Sequence, residues 1–432
     1  LLNASSCCEA VASPKFKIMN RIVITGLGAL TPIGENVETF WQNLIKGVSG
    51  ATRITKFNAN KFRTQIACEL KDYDPSRWLD RGEIKRTDPF TQYALIAADQ
   101  AISDAQLNFA DMDPYDIGVI WGSGQGGMLT FEEQVKEYVS ENFTPRFSPF
   151  FVPKLIANMA SGLISIRHGL KGINYTTVSA CATSNTAIMD AFNYIRWGKA
   201  KVMITGGSEA PITEASIGGF CAMKAMTTLN GEPTLACRPF DQGRDGFLMG
   251  EGAGALVLEE YEHARARGAK IYAEIVGAAM TADAYHMTAT HPEGEGAYMA
   301  MKLALKDANI EAQEVDYLNA HATSTPVGDM SELKAIHKLF ESSFDRLHVS
   351  ATKSMTGHLL GAAGAIEAIA CVLSIRDSII PPTINLTNPD EAIPEGLQLV
   401  KLNALKHDVK VAMSNTFGFG GHNGIAVFKK LS

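Results

Sequence analysis

The chain has 432 residues, 46% of them hydrophobic and 20% charged, with a formal net charge of −7 at pH 7. Such a chain suits two or three globular domains or one large duplicated core, and without an apolar run of about 18 residues it has no transmembrane helix. The acidic balance argues against nucleic acid as a partner. Seven scattered cysteines with no CxxC pair argue against a zinc site or disulfide framework and for a reducing compartment.

Residues 1–20 show no structural pattern, carry adjacent Cys7 and Cys8, and lack the arginine and the apolar core of a targeting peptide. They read as an N-terminal extension, expected to be disordered. A bacterial-type cytoplasmic location is expected, with organelle import left open.

Regular structure is predicted to begin with a strand at Arg21–Thr25. It runs into Gly26-Leu-Gly-Ala-Leu-Thr-Pro-Ile-Gly34, whose spacing is not GxGxxG and which opens no helix, so a dinucleotide site is not expected. Helices are predicted over Val37–Lys46 and Pro89–Leu107. A buried strand, Ile117–Trp121, stops at Gly122-Ser-Gly-Gln-Gly-Gly127. Prolines 145, 149 and 153 hold residues 141–153 as loop, and a helix carries Leu155–Ile166. Tyr175–Ser179 is β-branched and aromatic, as in a strand buried between layers. Cys181 follows at the turn into a helix bearing Ala187, Ile188, Ala191 and Ile195. Strands at Val202–Thr205 and Ala255–Glu259 complete the first round.

A second round starts near Ile271, with strands at Ala273–Ala278, Val315–Asn319, His348–Ser350, Val411–Met413 and Gly424–Phe428. Helices fall at Ala297–Ala308, Asp329–Phe340 and Leu359–Ile375. Alternating strands and helices predict an α/β protein with mainly parallel pairing. The likeness of Val178-Ser-Ala-Cys181 to Val349-Ser-Ala-Thr352, each before a helix, suggests an internal duplication. The expected units are 21–265, with the cysteine, and 266–432.

Cys181 is the candidate nucleophile, because unpaired N–H groups at a helix start favour thiolate over thiol; a small buried core cysteine is the competing reading. Three strand ends in the second half carry polar residues that could face it. They are Asn319-Ala-His321-Ala-Thr-Ser-Thr-Pro, Lys353-Ser-Met-Thr-Gly-His358-Leu-Leu-Gly with Glu367 beyond it, and Ser414-Asn-Thr-Phe417-Gly-Phe-Gly-Gly421. Ligands bind beyond the carboxyl ends of strands in α/β sheets. Spacing alone leaves structural histidines and a Cys/His acyl-transfer site equally open.

Together, Val178-Ser-Ala-Cys181, His321-Ala-Thr-Ser-Thr-Pro, Lys353-Ser-Met-Thr-Gly-His358 and Asn415-Thr-Phe-Gly-Phe-Gly-Gly421 resemble the β-ketoacyl-[acyl-carrier-protein] synthases of thiolase fold, from about Arg21 onward. Gly357-His-Leu-Leu-Gly resembles the type II bacterial members. The Cys-His-His set differs from the Cys-His-Asn of initiating synthases and the Cys-His-Cys of thiolases. The resemblance implies a duplicated five-layer αβαβα fold, a homodimer, and decarboxylative condensation of an acyl-cysteine with malonyl-carrier in fatty-acid elongation.

It also implies roles. Cys181 accepts the acyl chain, His321 and His358 stabilise the enolate oxygen, and Lys353 tunes the site and contacts His358. The backbone N–H groups of Cys181 and Phe417 form an oxyanion hole. Thr323 and Thr325 bind pantetheine, while Phe417 and Phe419 form a gate. Lys85, Arg86, Arg146 and Lys224 dock the acidic acyl carrier protein. Asn319, Glu367, Ser414 and Asn415 are a possible structural cation site, and phosphopantetheine arrives on the carrier, so no resident cofactor is expected.

Gln125 departs from the apolar residue usual among these relatives at the base of the acyl pocket; as an amide without a partner it would alter chain-length choice, and bonded to backbone it would be irrelevant to the pocket, two readings that stay equally open. A ketosynthase of a specialised polyketide or aryl-polyene pathway would use the same residues. A non-catalytic chain-length subunit commonly lacks the cysteine that this chain retains.

Overall fold

The computed structural model describes residues 19–431; the expected extension over 1–20 lies, up to residue 18, outside them. The principal strands are β1 (Ile22–Leu30), β2 (Ile117–Gly122), β3 (Asn174–Thr177), β4 (Val202–Glu209), β5 (Gly252–Glu260), β6 (Ala273–Ala282), β7 (Tyr317–Asn319), β8 (His348–Ser350), β9 (Gln398–Leu399), β10 (Val411–Gly418) and β11 (His422–Lys429). The helices that cover them are α1 (Pro89–Asp104), α2 (Met128–Ser140), α3 (Met159–His168), α4 (Thr183–Arg196), α5 (Glu214–Ala222), α6 (Glu295–Ala308), α7 (Pro326–Phe340), α8 (Lys353–Thr356) and α9 (Ala363–Asp377).

The strands form one hydrogen-bonded sheet in the order β9-β8-β7-β10-β11-β6-β1-β5-β4-β2-β3. Leaving the two-residue edge strand β9 out of the count, each half repeats one pattern from the centre outward: first strand, fifth, fourth, second, third. The halves meet where Ile22–Ile24 of β1 pair antiparallel with Ala273–Ile275 of β6. Pairing is mixed rather than mainly parallel. The neighbours β1–β5, β4–β5, β10–β11 and β6–β11 are antiparallel, whereas β2–β3, β2–β4, β7–β8 and β7–β10 are parallel. The fifth strand of each half lies antiparallel between the first and the fourth. In the second half it returns through the short Phe419–Gly421 turn and needs no helical crossover.

Helix α4 packs on β4 and β2 of its own half and also on β11; α9 packs on β10 and also on β5. These two helices are therefore the middle layer. Helices α1 and α3 cover the outer face of the first half, and α6, with α7 against it, covers that of the second, giving the five-layer αβαβα arrangement of thiolase-like proteins. Helix α9 is buried on every side from Ala363 to Ile375, as an almost wholly apolar helix between the two halves of the sheet must be. Its side chains join the core shared by both halves, and each outer layer has a core of its own.

Close packing accounts for the glycines of β1. A Cβ on Gly26 or Gly28 would lie 2.1 or 1.9 Å from the Ala101 or Ala97 carbonyl oxygen of α1, so these residues admit a helix, not a nucleotide.

The stretch before Cys181 differs from expectation. Strand β3 is the edge of the sheet, its residues are mostly half-buried or exposed, and Val178 is 63% exposed. Its β-branched residues therefore mark an edge with one hydrogen-bonding neighbour, not a strand between two layers.

Candidate active site

Four strand ends converge on one cavity of about 530 Å³. After β3 the chain makes a single 3-10 turn, Ala180–Ala182, and enters α4, with Ala180 at φ +50°. This turn lifts Cys181 to the cavity floor, where it is 9% exposed. His321 follows β7, His358 follows α8, and Phe417 and Gly418 end β10, with Phe419 just beyond; all line the same space. The Cys181 Sγ and one ring nitrogen from each of His321 and His358 lie within 4.8 Å of one another.

The imidazoles are held from behind. The amides of His321 and Ala322 donate to Glu332 Oε1 and Oε2 at 2.9 and 2.8 Å, and Asn415 Nδ2 donates to Oε1 at 3.0 Å. The His358 amide donates to the Leu248 carbonyl at 2.7 Å. The two rings meet edge to face, 5.3 Å between centroids, with Phe417 against His321 and Phe247 against His358. Both ring nitrogens of His358 and Nδ1 of His321 are buried without a partner among the described residues. Unpaired buried polar atoms are rare in folded proteins, and these are available to a ligand in the cavity.

Burial, and then the Lys353 ammonium, hold both imidazoles well below the usual histidine range. Both are neutral at pH 7, so each can donate from one nitrogen but cannot act as a fixed cation. Lys353 is itself buried and ion-paired with Glu367; its hydrogen bond goes to that carboxylate and not to His358. Its influence on the imidazoles is through space.

The sequence favours a thiolate at Cys181, but its surroundings favour the thiol. Burial pushes the Cys181 thiol up to about 12, against the opposing pull of Lys353 and of a hydrogen bond from the Phe419 amide. Desolvation outweighs the helix start because the thiol sits on the floor of a mainly apolar cavity. The Cys181 amide also faces the thiol. The pair of backbone donors at the sulfur is thus Cys181 and Phe419, whereas the sequence pointed to Phe417, whose ring lines the wall.

Thr323 and Thr325 lie on the cavity wall with their hydroxyls 3.1 Å apart. Phe419 is half-buried, and the turn after it carries Gly420 and Gly421 at φ +85° and +76°, a conformation open chiefly to glycine. Lys85, Arg86, Arg146 and Lys224 are all exposed, and none forms an ion pair among the described residues. Lys224 lies between Met223 and Ala225, both of which line the cavity.

Gln125 stands outside the residues that line the cavity. Its Oε1 accepts from the Ser216 hydroxyl at 2.8 Å, so the amide has the partner that the sequence did not show. Glu367 Oε2, Ser414 Oγ and Asn415 Oδ1 are buried oxygens without a partner, and Asn319 binds Thr352. An all-oxygen donor set of this kind fits a hard cation.

Sequence reasoning missed Glu332, Phe220, Phe247, Leu360 and the Met287–Thr290 segment. An acid eleven residues after His321, on the next helix, was the available signal for Glu332. The others reach the cavity only through tertiary packing.

The layer order and the converging strand ends define a ketosynthase of thiolase-like fold. Two family models match in tandem, beta-ketoacyl synthase N-terminal domain over residues 19–264 and beta-ketoacyl synthase C-terminal domain over 272–387; the chain belongs to the beta-ketoacyl synthase family. It is 53% identical over 411 residues to a 3-oxoacyl-[acyl-carrier-protein] synthase 2 of Staphylococcus aureus (strain N315), covering 95% of this chain and 98% of that protein. A protein of the same name from Synechocystis is 49% identical over 95% of this chain and 98% of its own length. Among solved structures, a beta-ketoacyl synthase from Burkholderia phymatum superposes with a TM-score of 0.87 at 34% identity, covering 96% of this chain and all of that one. A ketosynthase in complex with its type II polyketide acyl-carrier protein superposes with a TM-score of 0.88 at 33% identity, with the same coverage.

Proposed function

We propose that the protein elongates acyl chains by decarboxylative condensation, joining an acyl group on Cys181 to malonyl-carrier to give 3-oxoacyl-carrier and carbon dioxide. The observation that carries this reading is the cluster of Cys181 Sγ with His321 and His358 nitrogens within 4.8 Å at the cavity floor. Names of relatives at 53% and 49% identity agree with fatty-acid elongation.

The chemistry runs through these residues. In the first half-reaction the Cys181 sulfur attacks the acyl thioester carbonyl. Its proton leaves with the carrier thiolate, which departs as a thiol, so the high thiol pKa requires deprotonation to accompany attack. The Cys181 and Phe419 amides face the oxyanion formed. In the second, malonyl-carrier loses carbon dioxide and neutral His321 and His358 donate to the enolate oxygen. The carbanion attacks the acyl-Cys181 carbonyl, the tetrahedral intermediate collapses, and the Cys181 thiolate departs and takes up one proton from solvent. Thr323 and Thr325 hold the pantetheine arm. No resident cofactor takes part.

Exposed Lys85, Arg86, Arg146 and Lys224 supply the docking charge for the carrier, supported by their lack of ion pairs among the described residues. A second copy of the chain pairs along β3, supported by the open strand edge and by exposed Val135, Val139, Phe143 and Val178. A cation at Glu367, Ser414 and Asn415 would offset buried negative charge and brace the Lys353 segment. A cytoplasmic location fits five buried free cysteines and the absence of a helix long and apolar enough to cross a membrane among the described residues.

The test is carbon dioxide release from purified protein given acyl- and malonyl-carrier. Wild type should release it and form 3-oxoacyl-carrier, and Cys181→Ser should form no 3-oxoacyl-carrier; no release with wild type, or full condensation by the variant, would overturn the reading.

A further inference from the structure

The third strand of each half leads to a comparable turn, and the partner of Cys181 in the second half is not Thr352. An insertion, 351–359, follows β8 and carries α8, Lys353 and His358. The matching 3-10 turn is Leu360–Ala362, leading into α9, with Leu360 at φ +46° where Ala180 has +50°. Gly361 therefore occupies the position of Cys181.

Each turn faces the end of the fourth strand of the opposite half. Gly418 at the end of β10 abuts the Cys181 turn; a Cβ there would lie 2.6 Å from the Ser179 carbonyl oxygen and 3.0 Å from the Cys181 amide nitrogen. Glu209 at the end of β4 abuts the Gly361 turn, and its carboxylate is fully buried. It accepts from the amides of Gly361, Gly124 and Gln125 at 3.0, 2.7 and 3.0 Å and from the Ser123 hydroxyl at 3.2 Å. Where the first turn offers backbone donors to a ligand, the second offers them to an acid of the chain itself.

We propose that Glu209 occupies an oxyanion-like carboxylate nest in the second turn and is a positioning residue for the acyl site. Through Gly361 it fixes Leu360, which lines the cavity wall. Through Gly124 and Gln125 it fixes the Gly122–Gly127 loop, whose Gly124 lies against the Ala180 carbonyl beside Cys181. Nothing else in the mechanism uses this carboxylate. The inference rests on the reading of Cys181 as the acyl acceptor, but two of its three readouts need no carrier.

The charged and titratable groups acting on Cys181 are Lys353, Glu209, and neutral His321 and His358, with Glu367 behind Lys353. Burial pushes the Glu209 carboxyl up to about 7, opposed by its three amide donors and Ser123, and its charge disfavours the thiolate. Above pH 7, Glu209→Gln should be alkylated at Cys181 by iodoacetamide about threefold faster than wild type, converging below pH 7, where wild-type Glu209 takes a proton.

The nest itself is tested with the full-length Glu209→Ala protein. Its melting temperature should fall and its condensation rate drop about tenfold, with formate, but not chloride at equal ionic strength, restoring much of both. If Glu209→Ala does not fold, Glu209→Gln carries the test by its alkylation profile. An unrescued but folded Glu209→Ala, or a Glu209→Gln protein alkylated no faster than wild type at any pH, overturns the assignment. A wild type that releases no carbon dioxide while melting and alkylation behave as stated would remove the condensation reading and leave the nest standing.

Discussion

Cys181 and Gly361 sit in matching turns of one repeated half, and the two turns have diverged in opposite directions. The first keeps a side chain at the tip and meets a glycine, Gly418, so its donors open onto the cavity. The second keeps no side chain at the tip and meets Glu209, so its donors are already satisfied. The second half instead lengthens the path into its turn and uses the added residues to carry Lys353 and His358 to the first half's cysteine. A duplicated backbone has thus been divided into one turn that reacts and one that supports. What separates them is which side chain meets the backbone N–H groups.

The largest effect expected on that contrast is Cys181→Ser, which should lower condensation by orders of magnitude while leaving the melting temperature nearly unchanged. Next come His321→Ala and His358→Ala, each expected to slow malonyl decarboxylation by on the order of a hundredfold or more, measured separately from acyl transfer to Cys181.

These histidines also set a sign for stability against pH. Both are neutral when folded, whereas the unfolded chain binds protons on them below about pH 6.5, so their contribution to stability is lost as pH falls through that value. Thermal unfolding between pH 5 and 7 should show a smaller acid-side loss in His321→Asn/His358→Asn than in wild type.

Lys353→Met tests the inserted segment. It strands Glu367 as a buried unpaired acid and should cost about 3–5 kcal/mol by denaturant unfolding, much of it recovered in Lys353→Met/Glu367→Leu. Gly361→Ala asks whether the second turn can bear a side chain as the first does. Its Cβ would fall 2.5 Å from Glu209 Oε2 and 2.6 Å from the Gly124 nitrogen, so a loss of about 1–3 kcal/mol is expected.

The smallest effect is expected from Gln125→Ile. The amide is bound to Ser216 on α5, the helix that also presents Phe220 to the cavity, so the change should reach the acyl pocket only indirectly. Assay with acyl-carriers from C4 to C16 should show a modest shift in chain-length preference; an identical profile would remove Gln125 from acyl selection.

Apart from α2, α5, α8 and the short β9, the order of strands and helices was legible in the sequence, as were the duplication and the four strand ends that carry Cys181, His321, His358 and Phe417. Those features are local: β-branched runs, glycine and proline breaks, and polar residues clustered just past a strand. It did not determine that Thr352 is displaced by an insertion and that Gly361 is the true counterpart of Cys181. A sequence match aligns letters, whereas equivalence is set by position on the sheet. Nor did it determine the state of the thiol, because burial is a property of the assembled cavity and here outweighs the helix start. Only the tertiary structure brought Glu209 to Gly361, Glu332 to His321 and Ser216 to Gln125, for these contacts join residues far apart in the chain or across a turn whose shape is decided by packing.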